Sequence, residues 1–86
     1  MSPIDTFEQL RLILEEALQL GPRASALDAE SALLGYLPEL DSMAVVEVVT
    51  RMEQDFGITI HDDEVNAETF ATFGALADFV LGKMTS

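Results

Sequence analysis

Hydrophobic residues recur at three- and four-residue intervals along residues 5–20, with charged residues between them, and this spacing is typical of an amphipathic α-helix. The apolar positions are Phe7, Leu10, Ile13, Leu14, Ala17 and Leu18. We expect Asp5 or Thr6 to cap the start of this helix. Gly21-Pro22 should end it, because glycine tolerates a left-handed conformation and proline cannot extend a helix.

Residues 42–56 carry two competing patterns. Four β-branched valines in the first half of this stretch favour a strand by propensity alone. The apolar positions nevertheless keep a helical spacing over a length that exceeds a typical strand. They are Val45, Val48, Val49, Met52 and Phe56. We therefore predict a helix over residues 42–56, with Gly57 as its stop.

The last third of the chain predicts one short element and a final helix. Ile58 and Ile60 alternate with polar residues in a short extended piece, and Asn66 is expected to cap a turn or short helix that continues through Phe70. Thr72 should cap the last helix, which ends near residues 82–83. Its inward-facing positions are Phe73, Leu76, Ala77 and Val80.

Residues 21–41 show no long period and predict a long connection between the first two helices. Asp28 is expected to cap a short turn through Leu34 that Gly35 stops. Four leucines should pin the connection onto the helices: Leu27, Leu33, Leu37 and Leu40. The whole pattern predicts an all-α fold, a four-helix bundle with three main helices, one short third helix and a long first loop, built by residues 1–86 as a single domain.

The composition fits a small folded protein. Of its 86 residues 49% are hydrophobic and 23% are charged, so a core can form. The chain has no cysteine, which excludes disulfides, a thiolate nucleophile and cysteine-based metal sites. Acidic residues interrupt the apolar positions near the N-terminus, and no run approaches the roughly 18 apolar residues of a membrane span. We expect a cytoplasmic protein that does not associate with membranes.

Charge restricts the possible partners. Sixteen Asp and Glu residues oppose four Lys and Arg residues, giving a formal net charge of −12. Such a field repels phosphate backbones and anionic lipid headgroups, excludes nucleic-acid binding, and steers basic protein surfaces toward the chain. An acidic surface that only keeps the protein soluble explains the charge equally well.

Two kinds of site are disfavoured by the residues themselves. A catalytic triad would require Ser42 to meet His61, the only histidine, together with a third group that orients the imidazole. A calcium loop beginning at Asp62 would need glycine at its sixth position and glutamate at its twelfth, where the chain has Ala67 and Phe73. We therefore expect neither a catalytic nor a metal-binding residue.

The start of the second predicted helix is the remaining candidate. Asp41 is placed to cap this helix, which leaves Ser42 on the first turn with its hydroxyl facing solvent. The amides and the dipole at a helix N-terminus favour a negatively charged group such as a phosphodiester. An ordinary helix start is the plainer interpretation of the same residues, and the pattern alone leaves both open.

Asp41-Ser42-Met43 resembles the Asp-Ser-Leu motif of the acyl carrier protein family, which includes peptidyl carrier domains and in which the serine holds 4′-phosphopantetheine. Glu47 stands where the family usually has a glutamate, five residues after the serine. Residues 52–60 are similar to the family's leucine-glutamate-x-x-phenylalanine-glycine-isoleucine stretch, and residues 70–80 are similar to its closing threonine-valine-glycine helix. The resemblance is continuous from about Leu40 to Val80.

Two departures from the family pattern lie at the motif itself. Many members have glycine at the position of Glu39. We expect the replacement of this glycine to stiffen the loop before the serine. Met43 replaces leucine and keeps a flexible apolar side chain there. Neither departure affects attachment at Ser42.

The resemblance implies a carrier and not an enzyme. A phosphopantetheinyl transferase, with magnesium and coenzyme A, would attach the arm to Ser42, and the arm would then carry acyl or aminoacyl groups as thioesters. Further implied partners of this monomeric carrier are acyl- or aminoacyl-activating ligases and acyltransferase or synthase enzymes with basic docking surfaces. The expected docking residues are Asp41, Met43, Val46, Glu47, Asp62 and Asp63. The alternative is an acidic helical protein-protein adaptor without a prosthetic group.

Overall fold

Three α-helices are found among the described residues, as the hydrophobic spacing predicts. The computed structural model describes residues 3–33, 37 and 40–85. Its helices are α1 (Pro3–Leu18), α2 (Ser42–Phe56) and α3 (Phe73–Thr85). Among these residues no strand forms, although Ala32 and Thr72 make an isolated antiparallel bridge. The predicted all-α fold class is confirmed.

Each of the two connections contains a short 3₁₀ helix. The first is Gly21–Ala26 and the second is Asp62–Glu64. A turn follows the second, in which the Thr69 amide donates to the Asn66 side-chain oxygen at 3.0 Å. The predicted turn or short helix from Asn66 through Phe70 is therefore a turn capped by Asn66, and the 3₁₀ helix at Asp62–Glu64 precedes it.

α1 begins and ends two residues earlier than the sequence predicts. Its first residue is Pro3, which the first turn of a helix tolerates because the amides there have no intrahelical acceptor. Asp5 and Thr6 consequently lie inside the first turns, and the prediction that one of them caps the helix is wrong.

The end of α1 is formed by a non-glycine residue. Gln19 adopts a left-handed conformation with φ of 54°, and the Leu20 amide donates to the Glu15 carbonyl at 3.1 Å. These are the marks of a Schellman motif centred on Gln19. Gly21, predicted as the stop, instead begins the first 3₁₀ helix. Leu20 is buried, which explains why the chain turns inward before Gly21 is reached.

α2 has the predicted boundaries at both ends. The Ala44 amide donates to the Asp41 carboxylate at 2.8 Å, so Asp41 is its N-cap. Gly57 closes the helix with φ of 66°, and the Ile58 amide donates back to the Glu53 carbonyl at 3.2 Å. Both signals are local, which is why the sequence displays them.

The long first connection is held against α1 by the side chain of Arg11. Its Nη1 donates to the carbonyl oxygens of Ala24 and Leu27, both at 2.7 Å, and the guanidinium lies 5.5 Å from the centre of the Phe73 ring. The leucines predicted to anchor the connection are all buried: Leu27, Leu33, Leu37 and Leu40. The predicted end of a turn at Leu34 and Gly35 lies outside the described residues.

The same connection is joined to the start of α3. Thr72 caps this helix as predicted, since its hydroxyl accepts from the Ala75 amide at 3.0 Å. The next amides reach across to the connection, because Phe73 donates to the Ser31 carbonyl and Gly74 donates to the Ala29 carbonyl, both at 2.9 Å. α1, α2 and α3 enclose the core, in which Phe73 and its edge-on neighbour Phe7 lie at a centroid distance of 5.2 Å.

Candidate functional site

Ser42 is the first residue of α2 and is exposed to solvent. The preceding Asp41 fixes the helix start by accepting from the Ala44 amide, and its carbonyl accepts from the Val45 amide at 2.9 Å. The two contacts hold the first turn rigidly while they leave the Ser42 hydroxyl outside the cap. A hydroxyl in this position is open to attachment of a group without disturbing the helix.

An apolar cleft of about 250 Å³ opens beside Ser42. Its other lining residues are Val45, Val65, Asn66 and Phe70, which come from α2 and from the connection between α2 and α3. Ser42 therefore lies at the rim of a mainly hydrophobic space. The sequence gives no signal for this cleft, because its two walls are separated along the chain.

A second cleft of about 310 Å³ shares two walls with the first. Val45 and Val65 line both, and the second continues along α2 to Glu53 and across to Ile60. The Glu53 carboxylate accepts from the Ile60 amide at 2.9 Å and so ties the far end of this cleft together. The two clefts therefore adjoin at Val45 and Val65, and together they extend from Ser42 along α2 to Glu53.

Three of the residues expected to contact partners lie on one exposed face of α2. Met43 is 81% exposed and Val46 is 65% exposed, unusually high values for large hydrophobic side chains. Glu47, also exposed, is one helical turn after Met43 and adjoins it on the same face. An apolar pair beside a carboxylate is suited to a contact surface rather than to the core.

The structure describes only part of the acidic residues that follow α2. Asp63 is exposed in the second 3₁₀ helix, whereas the side chain of Asp62 lies outside what the structure describes. His61, also exposed, uses its backbone amide to donate to the Glu64 carboxylate at 2.9 Å. In the part of the chain that is described, no group of three or more histidine or acidic side chains is arranged to hold a metal ion.

Glu64 accepts hydrogen bonds from two other residues, and neither contact was predicted from the sequence. Its carboxylate accepts from Lys83 Nζ at 2.6 Å and from the His61 amide at 2.9 Å. The hydrogen bond from Lys83, followed by that from the His61 backbone, holds the pKa of Glu64 below its ordinary value of 4.5. Glutamate three residues after a helix start is the acidic half of a capping box, so the His61 contact was detectable, but nothing in the sequence indicates Lys83.

No helix within the described residues combines the length and the apolar composition needed to cross a bilayer. None of α1, α2 and α3 is such a helix.

Comparison with known proteins shows the family to which the chain belongs. A family model described as a phosphopantetheine attachment site matches residues 8–80. An acyl carrier protein from an Exiguobacterium species is 35% identical over 81 residues, which cover 92% of this chain and 99% of that protein. The solution NMR structure of a holo acyl carrier protein from Nitrosomonas europaea is 50% identical, with a TM-score of 0.87 over 93% of this chain and 96% of that one.

Proposed function

The chain belongs to the acyl carrier protein family, and we propose that Ser42 is the residue to which its 4′-phosphopantetheine is attached. The single observation that carries this proposal is the position of Ser42, an exposed hydroxyl on the first turn of α2 at the rim of an apolar cleft. The chain is thus a carrier of acyl groups, and the serine is the point from which they are delivered.

The surroundings of Ser42 fit a phosphodiester followed by a long arm. Because the first amides of an α-helix lack intrahelical acceptors, the start of α2 offers N–H groups and a positive dipole end to a phosphate. Asp41 accepts from the Ala44 amide and leaves the earlier amides of the first turn for the phosphate. When bound, the group supplies a terminal thiol, which a chain without cysteine cannot provide itself.

The two adjoining clefts along α2 are suited to shelter the group that the arm carries. Val45 and Val65 provide apolar walls directly beyond Ser42, and their burial of a hydrocarbon chain would stabilise it by about 0.8 kcal/mol per methylene group. The two clefts, of about 250 and 310 Å³, have room for an acyl group and for a small aminoacyl group. In this proposal the chain orients and shields the cargo, while bond formation takes place on partner enzymes and the chain itself is not an enzyme.

We propose that partners dock on the exposed face of α2. The proposed partners are a phosphopantetheinyl transferase, an acyl- or aminoacyl-activating ligase, and acyltransferase or synthase enzymes. Met43 and Val46 supply apolar contact, and Glu47 with Asp41 and Asp63 attracts basic side chains. Asp62 is included in the proposed surface on its charge alone. A monomeric, single-domain carrier in the cytoplasm fits this role.

The proposal is tested by the mass of the intact protein. Incubation with coenzyme A, magnesium and a phosphopantetheinyl transferase of broad specificity should add the mass of one phosphopantetheine group. Ser42→Ala should abolish the increase, while the matched variant Ser25→Ala, which alters an exposed serine of the first 3₁₀ helix, should retain it. An unchanged mass for the wild type, or a gain that survives in Ser42→Ala, would contradict the assignment and favour an adaptor without a prosthetic group.

A further inference from the structure

The outer wall of the second cleft is the short stretch of chain from Ile60 to Val65, which is held by hydrogen bonding between its own residues. Ile60 and Val65 line this cleft, and between them lie His61 and the second 3₁₀ helix. Glu64 closes this stretch from within, since its carboxylate accepts from the His61 amide at 2.9 Å. Its carbonyl accepts from the Thr69 hydroxyl at 2.9 Å, which fixes the chain after Val65.

Two polar contacts attach this wall to the helices, in addition to the packing of Ile60 and Val65 against the core. One is on α2, where Glu53 accepts from the Ile60 amide at 2.9 Å. The other is on α3, where Lys83 Nζ lies 2.6 Å from one oxygen of Glu64 and 2.5 Å from the other. The Lys83 and Glu64 side chains are only 21% and 30% exposed, so their charges are partly shielded from solvent.

Lys83 is held in place by a second contact. Its ammonium lies 5.9 Å from the centre of the Phe79 ring, one helical turn earlier on α3. Because a ring face attracts a cation, this contact orients Lys83 toward Glu64. By contrast, the pair between Arg51 and Glu16 is longer, at 3.4 Å, and involves a carboxylate side chain that is 60% exposed.

We propose that Lys83 is a positioning residue that sets the width of the second cleft, between α2 and the stretch from Ile60 to Val65, by anchoring Glu64, and with it Val65, to α3. The inference rests on the proposed function, because it takes the second cleft, which shares Val45 and Val65 with the cleft beside Ser42, to shelter the carried group. Loss of the Lys83 contact removes the attachment of Glu64 to α3 and lets the stretch around Val65 move away from α2, while Ile60 stays anchored by Glu53 and by its burial in the core. A longer acyl group then spends more time outside the cleft.

The test compares a long and a short thioester on the same arm. Octanoyl and acetyl groups are loaded onto phosphopantetheine-bearing protein, loading is checked by intact mass, and cleavage by hydroxylamine is followed. Lys83→Met should accelerate cleavage of the octanoyl thioester roughly two- to fivefold, the range expected from loss of a partly exposed ion pair. Cleavage of the acetyl thioester should not change, because an acetyl group has little apolar surface to bury in the cleft.

Matched variants separate positioning from general loosening. Arg51→Met removes a different ion pair and should leave both cleavage rates at the wild-type values. Lys83→Arg should restore octanoyl protection by keeping the charge. If Lys83→Met does not fold, Glu64→Gln breaks the same pair from the other side and should give the same result.

Equal octanoyl cleavage in Lys83→Met and the wild type would overturn the inference, as would an equal acceleration of both thioesters. Failure of the proposed function would look different, because the intact mass would show no arm on the protein before any cleavage is measured.

Discussion

The amide of Gly74 donates to the carbonyl oxygen of Ala29 at 2.9 Å, and a β-carbon at Gly74 would lie only 2.7 Å from the same oxygen. The start of α3 and the first connection therefore approach each other as closely as glycine allows. This contact lies beside the amide of Phe73, which donates to Ser31, and together the two bonds fix the connection that precedes Ser42.

Gly74→Ala should destabilise the protein. Alanine is the better helix former by about 1 kcal/mol, but its β-carbon forces the backbone at Ala29 to move, and such overpacking costs about 1–3 kcal/mol. Gly82→Ala is the matched control on the same helix, since no atom lies within 4 Å of its added β-carbon. Urea unfolding should show a lower midpoint for Gly74→Ala and a higher one for Gly82→Ala, and equal gains in both variants would contradict the close approach.

Arg11→Lys should also destabilise the protein, although the charge is preserved. A single Nη1 donates to Ala24 and Leu27 at once, and an ammonium on a shorter stem does not reproduce this geometry. We expect a loss of about 1–3 kcal/mol in the free energy of unfolding. Arg51→Lys, which alters a surface pair, should stay within about 0.5 kcal/mol of the wild type, and thermal melts of the two variants measure the difference.

Glu64 makes part of the stability dependent on pH. Its pKa in the folded protein is lowered, chiefly by the hydrogen bond from Lys83, so the unfolded chain takes up this proton more readily. The contribution is therefore fully present above the ordinary value of 4.5 and is lost as the pH falls through the lower folded pKa.

The matching measurement is the difference in urea midpoint between the wild type and Glu64→Gln from pH 7 to pH 3. This difference should be constant near neutrality and should shrink below about pH 4.5. Because both proteins share the other carboxylates, the comparison removes their general titration. A difference that grows on acidification would mean that Glu64 is destabilised by its surroundings.

Glu47→Lys should separate docking from folding. Glu47 is exposed on α2, so its replacement should change the free energy of unfolding by no more than about 1 kcal/mol. Phosphopantetheine transfer to Ser42 should become slower, with a defect that shrinks at high salt because the contact is electrostatic. Circular dichroism melts and transfer rates at two salt concentrations test both statements, and normal transfer to the variant would place the docking surface elsewhere.

Features whose hydrogen-bonding partners lie within one turn of the chain were predictable from the sequence. Asp41, Gly57 and Thr72 act on amides or carbonyls three or four residues away, so the ends that they form were predicted correctly. The helical period of residues 42–56 outweighed the strand propensity of their valines, since one buried face must pack against α1 and α3. Ser42 was singled out by the same local logic, assisted by the family resemblance.

Features that depend on residues far apart in the sequence became visible only in the folded protein. The cleft beside Ser42 needs Val45 and Val65 to face each other, and the wall of the adjoining second cleft needs Lys83 to reach Glu64 over 19 positions of sequence. The end of α1 has the same character. Gly21 was the better local stop, but burial of Leu20 favours a turn at Gln19, and the free energy of burying a leucine, about 1.5–3 kcal/mol, offsets the cost of a left-handed residue, about 1–2 kcal/mol.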